Sequence, residues 1–379
     1  AARPGRWKYD FVSVLVCLVL MAGCFCMAML PLLWDELSGE NQQTMNRLST
    51  QAIDELYTAC KQDAQDIAIR DISGWLYLSG PQVETLQQAA ALPAGEWRAV
   101  WVSYLEWAGM DFSSEEAFRA GAAELMDNCL SIGLNTVIAQ VRPFGDALYR
   151  STLFPWSHLC TGVQGQDPSF DPLDVLITEA HSRGLSLEAW VNPYRLRSSA
   201  KMPPALAENN LANVHPEWVC AVGEGLYLNP AIPEAADYVV KGVAELVQNY
   251  AVDGIHFDDY FYPTTDPAFD AADYAASGST RTQDDWRREN VNALMELCHA
   301  AARRYGVRFG AAPAGDPEQN YTLQYSDAAR WLRQGTVDYL MPQLYWGQEY
   351  IKNGDASHSF AQLAAAWAAL PRAAGVQLY

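Results

Sequence analysis

Two aspartates stand side by side at positions 258 and 259, in the run VDGIHFDDYFYP, at the end of a short apolar stretch that reads as a β-strand. Carboxyl groups at such a place suit general acid–base chemistry; in glycosidic hydrolysis, one example, one carboxyl protonates the leaving oxygen and a second serves as nucleophile or as base for water. Strand alternation lets His256, Asp258 and Tyr260 share one face while Asp259 points the other way, unless the strand has already ended. Asp258 is therefore the better inward acid or nucleophile. The second carboxylate stays open among Asp259, Glu349, Asp146 and Glu188, in that order. Glu188 lies early in its strand and is expected to pair with a cation beneath the site.

Three other strand ends carry polar and aromatic groups that suit a glycan. Gln140, Arg142 and Asp146 follow one strand, Trp190, Asn192 and Tyr194 a second, and Gln343, Tyr345 and Trp346 a third. With His256 and Tyr260 they form the expected substrate-binding set, whose amides and guanidinium donate to hydroxyls and whose rings offer apolar faces to sugars. The alternatives for each are plain packing under the loops, or turn chemistry at Asn192-Pro193 and Pro342-Gln343.

These groups must be positioned by a repeating scaffold. From residue 98 onward, short apolar β-rich runs alternate with amphipathic helical stretches, the pattern of βα units on a parallel sheet. Strands are expected at 99–103, 136–141, 185–191, 254–258, 307–311 and 337–341, with a seventh begun at 375–379. Helices are expected from the caps Ser113 and Ser114 to Gly133, then at 172–184, 234–250, 284–305, 326–333 and 360–370. Six units and part of a seventh predict an α/β (β/α)8 TIM-type barrel, truncated after about the seventh strand, with its reactive groups at the C-terminal strand ends. A doubly wound sheet is the alternative, but no Gly-rich phosphate turn follows the first strand. The early stop and the absence of an initial Met are what a piece of a longer protein would show.

The runs QVRPFGDALYRSTLFPWSHLCTGVQGQDPSFDPLDVLITEAHSRGL, EAWVNPYR, VDGIHFDDYFYP and VDYLMPQLYW occur in this order from about Glu96 to the end. In order and spacing they resemble the glycosyl-hydrolase-like 10 family. The resemblance implies a barrel, export, and hydrolysis of peptidoglycan glycan strands stripped of their stem peptides. One departure is FGAAPAG, where the family pattern reads closer to FGISPFG, so Ala312 and Ala314 replace a hydroxyl and an aromatic ring and an aromatic subsite is expected to be missing. The spacing around Asp253 also resembles the DGxDxDxE motif of chitinase-type barrels. That motif would put an acid where Tyr260 stands, so its mechanism does not carry over directly.

Residues 1–36 read as a membrane anchor or signal segment, 37–96 as a partly helical stalk and 97–379 as the barrel. No charge interrupts Phe11 to Leu33, which is long enough to span a bilayer, and Arg3, Arg6 and Lys8 precede it while Asp35 and Glu36 follow. This predicts a single-pass cell-membrane protein with the barrel outside; the alternative is a cleaved signal, with Met21-Ala22-Gly23-Cys24 resembling a lipoprotein box. A net charge of −20 argues against nucleic acid as a partner and leaves a polysaccharide compatible. The eight cysteines show no CxxC spacing; Cys160 and Cys220 could meet, though free buried thiols are the better expectation.

Two other functions compete. A non-catalytic carbohydrate-binding barrel is suggested by Tyr260 and the two alanines. A metal-dependent polysaccharide deacetylase is suggested by His256-Phe257-Asp258-Asp259, but His158, His181, His215, His299 and His358 supply no HxxxH pair. Neither a metal nor a cofactor is therefore expected.

Overall fold

The structure is a computed structural model that describes residues 67–70, 75–78, 96–351 and 355–379. The expected anchor at Phe11 to Leu33 lies outside these residues, as does most of the expected stalk. Within the stalk range, Ile67–Arg70 (β1) and Trp75–Leu78 (β2) pair as an antiparallel hairpin. Among the described residues no helix is long and apolar enough to cross a membrane.

The larger unit alternates strands and helices in chain order. Ala99–Val102 (β3) leads through the short helix Tyr104–Trp107 (α1) to Glu115–Ser131 (α2). Thr136–Arg142 (β4) is followed by Pro172–His181 (α3), and Ser186–Val191 (β5) by an insertion of Arg195–Arg197 (β6), Val219–Val222 (β7) and Gly225–Leu228 (β8). Pro233–Asn249 (α4), Gly254–Phe257 (β9), Gln283–Arg304 (α5) and Arg308–Ala311 (β10) continue the alternation. Pro317–Leu323 (α6), Ala328–Gln334 (α7), Tyr339–Leu340 (β11), Phe360–Ala368 (α8) and Gln377–Leu378 (β12) complete it.

Local chemistry explains the helix starts. The Ser114 hydroxyl accepts the Ala117 N–H, and Glu115 and Glu116 then sit at the positive end of α2. Asp171 caps α3 ahead of Pro172, whose missing N–H costs nothing in the first turn.

The seven long-range strands pair in the order β3-β4-β5-β9-β10-β11-β12, all parallel. The sheet curls as a barrel does: Trp97, before the first strand, and Tyr379, after the last, have ring centroids 4.3 Å apart. Apolar residues on its outer face form one large core with the helices, including Val137, Ala139, Leu187, Ala189, Ile255 and Phe309. The inner face carries Trp97, Ile138 and Tyr339, flanked by Trp101 and Trp190.

Inside that concave face runs a polar chain. Arg308 Nη2 donates to Glu188 Oε1 at 2.6 Å, the Tyr339 hydroxyl donates to Glu188 Oε2, and His256 Nδ1 lies 2.8 Å from that hydroxyl. Trp101 Nε1–H donates to His256 Nε2 at 3.1 Å, so that nitrogen is bare and the proton sits on Nδ1. Glycines on adjacent strands make the room: a Cβ at Gly310 would lie 2.2 Å from Tyr339 Cζ, and one at Gly254 2.5 Å from Glu188 Cδ.

The antiparallel order β6-β8-β7 has no counterpart in the sequence reading, which places a long loop there. The Cys160–Cys220 pairing does not form: Cys129, Cys160, Cys220 and Cys298 are all free.

The buried pair Glu188–Arg308 yields a stability prediction. Removing one partner strands the other charge, which costs about 3–5 kcal/mol, whereas an apolar pair of similar volume restores most of it. Chemical denaturation of Glu188→Ala should show that loss, and Glu188→Met combined with Arg308→Met should recover only the ion-pair part of it, because the buried Tyr339 hydroxyl still lacks its acceptor.

Candidate active site

Asp258 sits just past the end of β9, where the carboxyl ends of the parallel strands converge, and it is only 5% exposed. Three amides in series hold it. The Tyr104 backbone N–H, at the start of α1, donates to Gln140 Oε1 at 2.8 Å; Gln140 Nε2 donates to Asn192 Oδ1; and Asn192 Nδ2 donates to Asp258 Oδ2. Arg195 Nη2 adds a second donor to Asn192 Oδ1 at 3.0 Å. With two donors on its oxygen, Asn192 has its amide orientation set, and its NH2 must face the acid. The other carboxylate oxygen, Asp258 Oδ1, accepts the Tyr260 N–H at 3.1 Å.

Burial is the largest influence on Asp258 and pushes its pKa up to about 6, with the charge of Asp259 adding to the rise. Arg195, the Tyr260 N–H and Asn192 oppose it by favouring the ionised form. Asp259 is half-buried and accepts from Gln324 Nε2 at 3.0 Å. The two acids thus have distinct surroundings, as an acid–base pair requires.

Aromatic rings flank them. Tyr260 is 53% and Tyr345 73% exposed, so both rings are open to a ligand. The Tyr345 hydroxyl donates to Gln343 Oε1 at 2.8 Å, while Gln343 Nε2 donates to the Ala312 carbonyl at 2.7 Å. Trp346 packs on Gly315, where a Cβ would come within 2.7 Å of its ring, and meets His358 edge-on. Both carboxylates raise the pKa of the Tyr345 hydroxyl after burial has done so, which sets the ring beside the acids.

Three expected site residues lie elsewhere. Arg142 is buried behind the sheet, its guanidinium 4.4 Å over the Phe154 ring and against Gly242 of α4. A register irregularity between Gln140 and Arg142 turns it outward. Tyr194 is fully buried in the outer core. Asp146 is sealed inside its loop, accepting from the Phe144 N–H and Gln164 Nε2. Glu349 is an exposed turn residue in the loop after β11.

Trp190 and His256 lie beneath the acids, ring centroids 6.5 Å apart. Burial drives the His256 pKa down to about 3, and both of its nitrogens are engaged by Trp101 and Tyr339. It therefore has no lone pair to offer a metal, which removes the observation behind the deacetylase alternative. Among the described residues no group of three His, Cys, Asp or Glu is arranged to hold a metal ion.

Sequence reasoning missed Arg195. It is the first residue of β6, and its guanidinium lies 5.0 Å from the Phe144 ring, 5.4 Å from Tyr260 and 5.8 Å from Tyr104. Its presence in the run EAWVNPYR, just past Asn192, is the signal that could have found it.

Residues 96–379 match the family described as glycosyl hydrolase-like 10. The chain belongs to that family. The glycosyl hydrolase YngK of Bacillus subtilis is 37% identical over 313 residues, which cover 76% of this chain and 60% of YngK, so the chain spans less than two thirds of that relative's length. The glycosyl hydrolase DigH of Escherichia coli is 36% identical over 298 residues, covering 69% of this chain and 67% of DigH. Among solved structures, the glycoside hydrolase domain of PgaB (BpsB) from Bordetella bronchiseptica aligns with a TM-score of 0.47 at 13% identity, over 72% of this chain and 81% of that domain. The runs that carry the glycosyl hydrolase-like 10 resemblance are those that place Gln140, Asn192, Arg195, Asp258 and Gln343 around one end of the sheet.

A pH dependence follows. An acid that must be protonated to act loses rate as pH rises through its pKa, here about 6. Asn192 favours the ionised form, so Asn192→Ala should move that alkaline limb to higher pH. The profile of kcat/KM against pH for both enzymes checks the direction.

Proposed function

We propose that this chain is a glycoside hydrolase that cleaves polysaccharide, peptidoglycan glycan strands before others, with Asp258 as general acid and Asp259 as the second carboxyl group. The observation that carries the reading is a buried carboxyl with its pKa raised to about 6, set between two exposed tyrosine rings at the mouth of a parallel sheet. Sugar rings would stack on Tyr260 and Tyr345, bringing a glycosidic oxygen to Asp258.

Proton transfer to that oxygen leaves a new carboxylate in a buried place. The Asn192 amide, the Tyr260 N–H and the Arg195 charge are already oriented to receive it, so little reorganisation accompanies the charge. Asp259, nearer solvent, supplies the negative charge that an oxocarbenium-like centre or an attacking water needs. The relatives' printed names support hydrolysis of glycosyl bonds, and the motif resemblance supports the glycan strand as substrate. The uncharged segment from Phe11 to Leu33, with arginines and a lysine before it, supports a membrane tether that holds the barrel outside the cell.

Digestion of purified glycan strands, with mass analysis of the products, tests the reading. Asp258→Asn should lower kcat about 10²–10⁴-fold, the usual contribution of a positioned acid. Asp259→Asn should also lower it if Asp259 carries the charge as proposed, and its profile should keep the alkaline limb. Near-normal turnover by Asp258→Asn would overturn the assignment.

A further inference from the structure

Asp258 and Asp259 are neighbours in the chain, yet different parts of the fold hold them. The ends of β4 and β5 hold Asp258 through Gln140 and Asn192. Among the described residues the one side chain that donates to Asp259 is Gln324, whose Nε2 lies 3.0 Å from Oδ2. Gln324 is the residue that ends α6, and stability alone would not select its placement. Its Oε1 is buried and finds no donor among the described residues, a cost that an apolar side chain would not carry. The next residue, Tyr325, takes φ +54°, in the left-handed region where a β-carbon is crowded. Ser169 is the other non-glycine residue to do so among the described residues, and the end of α7 makes the turn with Gly335 at φ +70°. Packing holds Tyr325 in this conformation. Its buried ring meets Tyr262 edge-on with centroids 5.2 Å apart, and its hydroxyl accepts from Arg287 Nη1 at 3.0 Å, Arg287 being fixed in turn by Asp270. On the other flank the Ser326 N–H donates to the Asn320 carbonyl at 2.9 Å. The fully buried Asn320 amide bonds both the N–H and the carbonyl of Ala314, just past β10. The turn that carries Gln324 is thus fixed on both flanks, and costly local geometry kept by its surroundings is a mark of a functional position.

We propose that Gln324 is a positioning residue for hydrolysis, whose amide holds the Asp259 carboxylate in one orientation beside Asp258. The inference rests on the reading of Asp259 as the second carboxyl group. With Oδ2 engaged by Gln324, Asp259 presents Oδ1 to the substrate or to a water. The amide is itself unable to turn over, because its oxygen would then face a carboxylate. A carboxyl group fixed before the substrate arrives has less motion to lose on the way to the transition state, so the benefit falls on the chemical step and not on binding.

The test is a double-mutant cycle on the full chain: wild type, Gln324→Met, Asp259→Asn and the two combined, each assayed on purified glycan strands and each unfolded in denaturant. Gln324→Met keeps the volume and removes the donor. It should lower kcat about 10–100-fold with KM little changed, the scale of a misplaced reacting group, while the denaturation midpoint holds or rises. In the Asp259→Asn background the same change should cost no further kcat, because the group it acts through is already gone. Gln324→Glu, nearly isosteric, should lose at least as much kcat by setting an acceptor against Asp259, and the loss relative to wild type should shrink as pH falls and the new carboxyl takes up a proton. Wild-type kcat in Gln324→Met, a loss that multiplies independently with Asp259→Asn, or a loss matched by a lower denaturation midpoint would each overturn the proposal. Should Gln324→Met fail to fold, Gln324→Glu and its pH dependence decide. Near-normal turnover by Asp259→Asn would overturn the reading of Asp259 itself, a result distinct from an impaired Asp259→Asn beside an unimpaired Gln324→Met.

Discussion

The site depends on one directional row of amides. From the Tyr104 N–H through Gln140 and Asn192 to Asp258, every link has a donor on one side and an acceptor on the other, and none can be reversed without setting like against like. The members come from three consecutive βα units, so the row also ties the first three strand ends to the fourth. Its dipoles add head to tail toward Asp258, much as the peptide dipoles of a helix add toward its ends. Burial opposes ionisation of Asp258, and the row together with Arg195 limits that opposition. The balance leaves a carboxyl that can both hold and release a proton near neutral pH.

Beneath the row lies a second polar chain with a different task. Arg308, Glu188, Tyr339, His256 and Trp101 satisfy one another inside the concave face, where an apolar filling would be usual for a barrel. Because His256 is neutral and fully engaged, it contributes a fixed ring and a dry floor to the site and takes no part in proton traffic near neutral pH.

Much of this was legible in the sequence, for physical reasons. The strands were legible because residues buried on both faces of a parallel sheet give short unbroken apolar runs, and Asp258 because a carboxylate directly after such a run must lie at the sheet's mouth. The cation partner of Glu188 was legible in kind, though not in identity, since a lone acid inside a sheet requires one. What failed was phase beyond the strand ends. Period-two counting from Gln140 puts Arg142 inside, but a bulge intervenes; counting from Trp190 puts Tyr194 inside, but the strand ends at Val191, before Pro193. Arg195 was hidden by the same break, because its position is set by pairing with Tyr227 in an antiparallel sheet built from residues far along the chain. Asp146 is held by partners from its own loop, which no periodicity describes.

The glycine at 310 has a meaning beyond room for a ring. The Tyr339 ring lies across its backbone, and the hydroxyl of that ring joins His256 to Glu188. A methyl group at 310 would evict the ring and so unhook two polar groups on two other strands. The four positions are therefore locked as a set: drift at any one is closed unless the others change with it. Across descendants of this barrel, 188, 256, 310 and 339 should vary together or hardly at all, while the apolar residues around them exchange freely at constant volume.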